Sequence, residues 1–138
     1  MSERSFLVVC LNPTVQRTFS LDAFERGQVN RVREFRVDAS GKGVNVARIL
    51  HQLGERVDHL TQTGGELEQL FLSRAAEDGV DVRAVHGTIE IRQCYTLLDA
   101  SDRSTTEVVE AGHRASADLE EAIRERYREL LGAAHTVI

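Results

Sequence analysis

The stretch "SGKGVN" sets Lys42 between Gly41 and Gly43, with Asn45 close behind. These types at this spacing suit an anion. Glycines leave backbone N–H groups uncovered by any Cβ. The apolar spacing that follows predicts a helix over 42–53, and its positive end would point at the same place. Lys42 adds a mobile charge and Asn45 an amide one turn in. Together they could hold a phosphate. A glycine-rich helix start with an exposed lysine is the competing reading.

Two familiar phosphate loops fail on spacing. A P-loop needs a glycine five residues before Gly41, where Arg36 stands, and Ser or Thr after Lys42, where Gly43 stands. The dinucleotide fingerprint needs a third glycine at Val46. Nor is there metal spacing among His51, His59, His86, His113 and His135, which read as surface or packing residues. Cys10 and Cys94 sit in apolar runs and read as buried free thiols. Asp78/Asp81 and Asp99/Asp102 read as turn formers.

The elements that position the loop follow from periodicity. Phe6–Leu11 is an unbroken apolar run and predicts a strand buried on both faces. Residues 17–37 alternate and predict one or two half-exposed strands. The helix over 42–53 would turn Val44, Ala47, Ile49, Leu50 and Leu53 inward and stop at Gly54. A strand over 56–62, a helix over 66–79 and a strand over 80–85 follow. Residues 93–110 predict a hairpin around the turn "ASDRS". Ser116 caps a last helix ending at Gly132, and residues 136–138 open another strand. This alternation is that of an α/β doubly wound sheet. Its last strand has no room to finish, so the chain reads as the N-terminal portion of something longer.

The totals agree with one soluble domain: 138 residues, 41% hydrophobic and 28% charged. A net charge of −5 gives no basic field for nucleic acid or anionic lipid. The N-terminal apolar stretch is too short for a signal peptide or a membrane span. A cytoplasmic location is expected.

Several motifs then line up in one register. "LNPTVQRT", "GQVNRV", "GKGVNVARIL", "TGGELEQLF", "IRQCYTLLD" and "TTEVVE" resemble the N-terminal half of the PfkB, or ribokinase-like, carbohydrate kinases. The 1-phosphofructokinase and tagatose-6-phosphate kinase branch is the most similar. The resemblance implies the N-terminal portion of a ribokinase-like sheet spanning 1–138, with a small β lid from roughly 14–37 and 88–110. It implies ATP- and Mg2+-dependent phosphorylation of a sugar phosphate of the fructose 1-phosphate or tagatose 6-phosphate type. It places substrate-binding residues at Asn12, Gln16, Gly41, Lys42, Gly43, Asn45 and Arg92. It also implies a homodimer through the lid, to which Phe19, Leu21, Val32 and Phe35 would contribute. The same side chains would also suit packing onto the chain's own domain.

Three departures matter. The branch's Leu-Asn-Pro-Ala-x-Asp motif has its acid at Gln16, an amide that keeps hydrogen bonding but loses the charge. The loop's first glycine is Ser40. The family's catalytic base lies in a Gly-Ala-Gly-Asp motif, which does not occur in these 138 residues. The expectation is therefore a substrate-binding half with no catalytic residue, metal or cofactor site of its own, inactive alone. A non-catalytic sugar-phosphate-binding or dimerising module is the alternative.

Overall fold

A computed structural model describes residues 4–138. Residues 1–3 of the expected single domain lie outside the described residues. The strands are β1 (Ser5–Val9), β2 (Thr14–Leu21), β3 (Glu34–Ser40), β4 (Arg56–Thr63), β5 (Asp81–His86), β6 (Arg92–Asp99), β7 (Thr105–Val109) and β8 (Thr136–Val137). The helices are α1 (Lys42–Gln52), α2 (Glu68–Glu77) and α3 (Ala117–Leu131).

The apolar run at the start forms β1, where Leu7 and Val8 are each only 1% exposed. It lies inside a parallel sheet of order β5-β4-β1-β8. The chain steps from β1 out to β4 and β5, then returns to the far side of β1 as β8. That reversal makes the sheet doubly wound, with its switch point between β1 and β8. Right-handed crossovers then place α1 and α2 on one face and α3 on the other. The packing agrees. Val44, Ala47, Phe71 and Ala75 close one core cluster over Val8. Leu119 and Ile123 close a separate one with Ile89.

A second sheet, of order β3-β2-β6-β7, is built from the insertions between these elements. Two antiparallel hairpins, β2–β3 and β6–β7, meet at a parallel β2–β6 seam. Its bounds differ from the expected 14–37 and 88–110. Pairing runs on to Thr14↔Ser40 and so reaches the residue before the glycine loop. Ile89 and Ile91, placed in the second segment, are buried in the two core clusters.

Local signals explain most element ends. Gly54 and Gly79 follow α1 and α2 with φ of 82° and 73°, the left-handed geometry that favours glycine. The Ser116 side chain accepts a hydrogen bond from the Leu119 N–H and caps α3. The apolar face of α1 is narrower than its composition implied. Gly43, Val44 and Ala47 are buried and Val46 and Leu50 pack beside them. Ile49 and Leu53, expected on the same face, are 55% and 72% exposed. Ile49 lies about 200° around the helix from Ala47, which turns it away from the sheet. The strand expected at the end forms as β8 and pairs with β1, but Val137 and Ile138 are about half exposed at 42% and 51%. No helix among the described residues is long and apolar enough to cross a membrane.

Candidate functional site

The second sheet and the start of α1 face each other across an open cleft of about 230 Å³. Gln16, Gly41, Lys42, Asn45 and Arg92 all line it. Thr14, Ser40, Cys94, Tyr95, Thr96, Glu107 and Val109 complete the walls. Five of the seven residues expected from the sequence are thus brought together from β2, β6 and the loop into α1.

Each is placed for a physical reason. Gly41 caps α1 with φ 114°, a conformation that L side chains rarely adopt. A Cβ there would also lie 3.3 Å from the Asn12 carbonyl oxygen. No side chain caps this helix, and its first turn carries no acidic residue. The Asn45 N–H is the first to close a helical bond, to Gly41 O at 3.1 Å. The N–H groups of Lys42, Gly43 and Val44 therefore have no intrahelical acceptor, which leaves positive potential beside the cleft.

Arg92 stands on β6 directly opposite Thr14 of β2. Its Nε donates to Thr14 Oγ1 at 3.0 Å and its Nη1 to the Glu110 carbonyl at 3.4 Å. Among the described residues its Nη2 has no hydrogen-bond partner. Gln16 opposes Asp38 on one side and Cys94 on the other. Its Nε2 donates to Thr96 Oγ1 at 2.8 Å, which ties the amide to the sheet and leaves Oε1 as an acceptor.

Asn12 and Gly43 are outside this lining. Asn12 is exposed, with its side chain beside Gly112 and its carbonyl against Gly41. Gly43 is a close-packing position. A Cβ there would overlap Cys10 Cβ and lie 2.8 Å from His59 Cε1. Nothing local announces this, because a glycine required by packing and one required by a ligand are spelled alike.

His59 supports the loop from below and is fully buried. It faces the Val8 carbonyl through Nδ1 at 3.1 Å, so Nδ1 carries the proton of the neutral ring. Nε2 is buried without a partner. Desolvation holds its pKa below the ordinary 6.5, and the bond to Val8 opposes this only in part. The unfolded ring takes up a proton near 6.5 and the folded ring only at lower pH. Stability is then intact above about 6.5 and declines as pH falls toward the lowered folded value. Urea midpoints should fall between pH 7 and pH 5, and His59→Leu should flatten that slope. Equal slopes in both proteins would contradict this role.

Sequence reasoning missed Arg48 and Asp78. Arg48 donates to Asp78 Oδ2 through Nε at 2.9 Å and Nη2 at 2.7 Å, so Asp78 does more than form a turn. The other aspartate pair does serve its turn: Asp99 accepts from the Ser101 N–H and Oγ, and Asp102 from the Ser104 N–H. Among the described residues, no three His, Cys, Asp or Glu side chains converge as a metal site would require.

The pfkB carbohydrate kinase family model matches residues 7–137. The chain belongs to that family. A structure of a possible 1-phosphofructokinase from Thermotoga maritima has a TM-score of 0.88 at 20% identity. The match covers 97% of this chain and 43% of that one. Escherichia coli phosphofructokinase-2 in complex with fructose-6-phosphate gives 0.84 at 21% identity, covering 91% and 41%. The tetrameric inhibited form of the same enzyme gives 0.82 at 21% identity, again covering 91% and 41%. At these identities the likeness establishes the fold. This pfkB chain spans less than half the length of each of these structures. It has the fold of the N-terminal portion of a ribokinase-like kinase, with a small β sheet set beside the doubly wound one.

Proposed function

We propose that this chain is the sugar-phosphate-binding half of an ATP-dependent sugar-phosphate kinase. The convergence of Lys42, Arg92 and the uncapped start of α1 on one cleft carries the reading. Three positive elements aimed at one space suit a phosphate, and the fork of Arg92 suits its paired oxygens. Gln16, on the same walls, suits sugar hydroxyls, and the Asn45 amide suits an acceptor oxygen beside Lys42. The second sheet would then act as a lid over the sugar. The fructose-6-phosphate complex of the E. coli relative supports a phosphorylated hexose as the ligand class.

ATP and Mg2+ serve the family's transfer reaction. The Gly-Ala-Gly-Asp motif that the resemblance ties to that reaction does not occur in these 138 residues. We therefore assign this chain the sugar side and no step of the transfer. Phosphoryl transfer depends on positioning and charge stabilisation around the nucleotide. Incubated with ATP, Mg2+ and a sugar phosphate, the 138 residues alone should form no ADP above background. Substrate-dependent ADP would contradict the half-site reading. Calorimetric titration with fructose 1-phosphate, fructose 6-phosphate and tagatose 6-phosphate should give heat with at least one and rank the sugars. A folded sample giving no heat with any would refute the binding role.

The second reading is a binding or dimerising module without chemistry, favoured by Gln16, whose amide is already engaged by Thr96. The second sheet could serve either reading as a contact between two copies. Phe35, Val32 and Val108 are 63%, 42% and 55% exposed on or beside it, and Phe19 stacks on Tyr95 at 6.2 Å. Leu21, grouped with them from the sequence, is buried at 2% and serves the chain's own packing. The reported tetramer of the E. coli relative is consistent with self-association in this family.

A further inference from the structure

Arg48 is half-buried behind the cleft and joined to three elements. Its Nη1 donates to Asn45 Oδ1 on α1 at 2.8 Å. Its Nη2 donates to the Ala39 carbonyl on β3 at 2.8 Å. Its Nε and Nη2 both reach Asp78, the residue that ends α2. Asn45 is thus held by a guanidinium that is itself held from two sides.

The chemistry of the pair fixes the amide. A guanidinium has five N–H donors and no acceptor. The end of Asn45 facing Arg48 must therefore be its oxygen, and its Nδ2 donors must face elsewhere. Among the described residues Nδ2 has no hydrogen-bond partner. Asn45 lines the cleft with Lys42 and Arg92, and also an adjoining cavity walled by Arg36, Asp38, Arg48 and Asp78. Released from Arg48, the amide could turn its oxygen toward a bound anion, a like-dipole arrangement that weakens binding.

We propose that Arg48, restrained by Asp78, is a positioning residue that sets the Asn45 amide so that the cleft is offered donors and accepts oxygen lone pairs. This rests on reading the cleft as a sugar-phosphate site. Its consequence is selectivity for ligands that present acceptor oxygens to Asn45.

Two measurements test it, and the first needs no ligand. In 1H–15N spectra of the 138-residue chain, the Asn45 side-chain NH2 pair should be well dispersed and sharp. In R48M, which keeps an unbranched stem and removes every donor, it should collapse toward the position of a free asparagine amide. An unchanged pair would overturn the proposal. The second is a double-mutant cycle read by titration with fructose 6-phosphate. R48M should weaken binding about tenfold, the size of one lost well-aligned hydrogen bond to a charged group. In an Asn45→Ala background the same change should cost less than about twofold. A residue that merely supports the fold would weaken binding equally in both backgrounds, and that result would overturn the proposal. Should R48M not fold, Asp78→Asn, which loosens Arg48 without removing it, gives the same two readouts. If the unmodified chain binds no sugar phosphate, the proposed function fails while the spectra still decide the role of Arg48.

Discussion

Gly43→Ala is expected to destabilise the fold by about 2 kcal/mol while leaving ligand affinity within about twofold. The added Cβ would overlap Cys10 Cβ and press on His59 Cε1 at 2.8 Å. His59 is fully buried and anchored to the Val8 carbonyl, so it has nowhere to move. Overpacking of this kind costs about 1–3 kcal/mol or more. Replacing a mid-helix glycine returns about 1 kcal/mol at most, and less in the first turn. The balance stays unfavourable and corresponds to a fall in thermal midpoint of roughly 6–8 °C. The backbone N–H survives the change, so whatever that N–H binds should still bind. Urea denaturation and a titration of the folded variant check both halves. A variant that is as stable as the parent but has lost its ligand would return Gly43 to the cleft.

Arg92→Ala is expected to do the reverse. Its guanidinium makes one good bond, to Thr14 Oγ1, and one long one, to the Glu110 carbonyl. Removing a half-buried surface arginine of this kind should move stability by no more than about 0.5 kcal/mol. Against a phosphate the same group supplies a charge-assisted bond worth about 1.5–3 kcal/mol. Affinity for a sugar phosphate should therefore fall about thirtyfold, or ~2 kcal/mol. Affinity for the unphosphorylated sugar should scarcely change. An equal loss for sugar and sugar phosphate would mean that Arg92 shapes the cleft rather than holding the phosphate. Opposite readouts from Gly43 and Arg92 would separate the glycine that packs from the cation that binds.

Much of this architecture is written locally. The apolar run of β1, the Gly54 and Gly79 stops, the Ser116 cap and the hairpin turn at 100–104 each act within a few residues. They were legible for that reason. The loop into α1 was legible too, because Gly41, Lys42 and Asn45 are neighbours in sequence and the helix start aims them together.

What stayed hidden is non-local. The parallel β2–β6 seam joins residues 78 apart, as in the Arg92–Thr14 bond, and no spacing rule announces it. Arg48 and Asp78 are 30 residues apart, and each alone resembles an ordinary surface charge. Only the fold brings α2's end to α1's flank. Ile49 and Leu53 misled in the other direction: apolar type suggested burial, while helical phase turned both outward. Ile89 and Ile91 fall within the lid segment that the resemblance implies, yet they serve the cores.

In the proposed function one cleft, between the second sheet and the start of α1, receives the phosphate of a sugar. The most direct measurement maps amide shifts in 1H–15N spectra of the labelled chain as fructose 6-phosphate is added. The largest shifts are expected at Gly41, Lys42, Gly43 and Val44, whose N–H groups begin α1, with companion shifts at Gln16 and Arg92. Shifts centred on another surface, such as the hollow at His51, Glu55 and Arg56, or none at all from a folded sample, would contradict it.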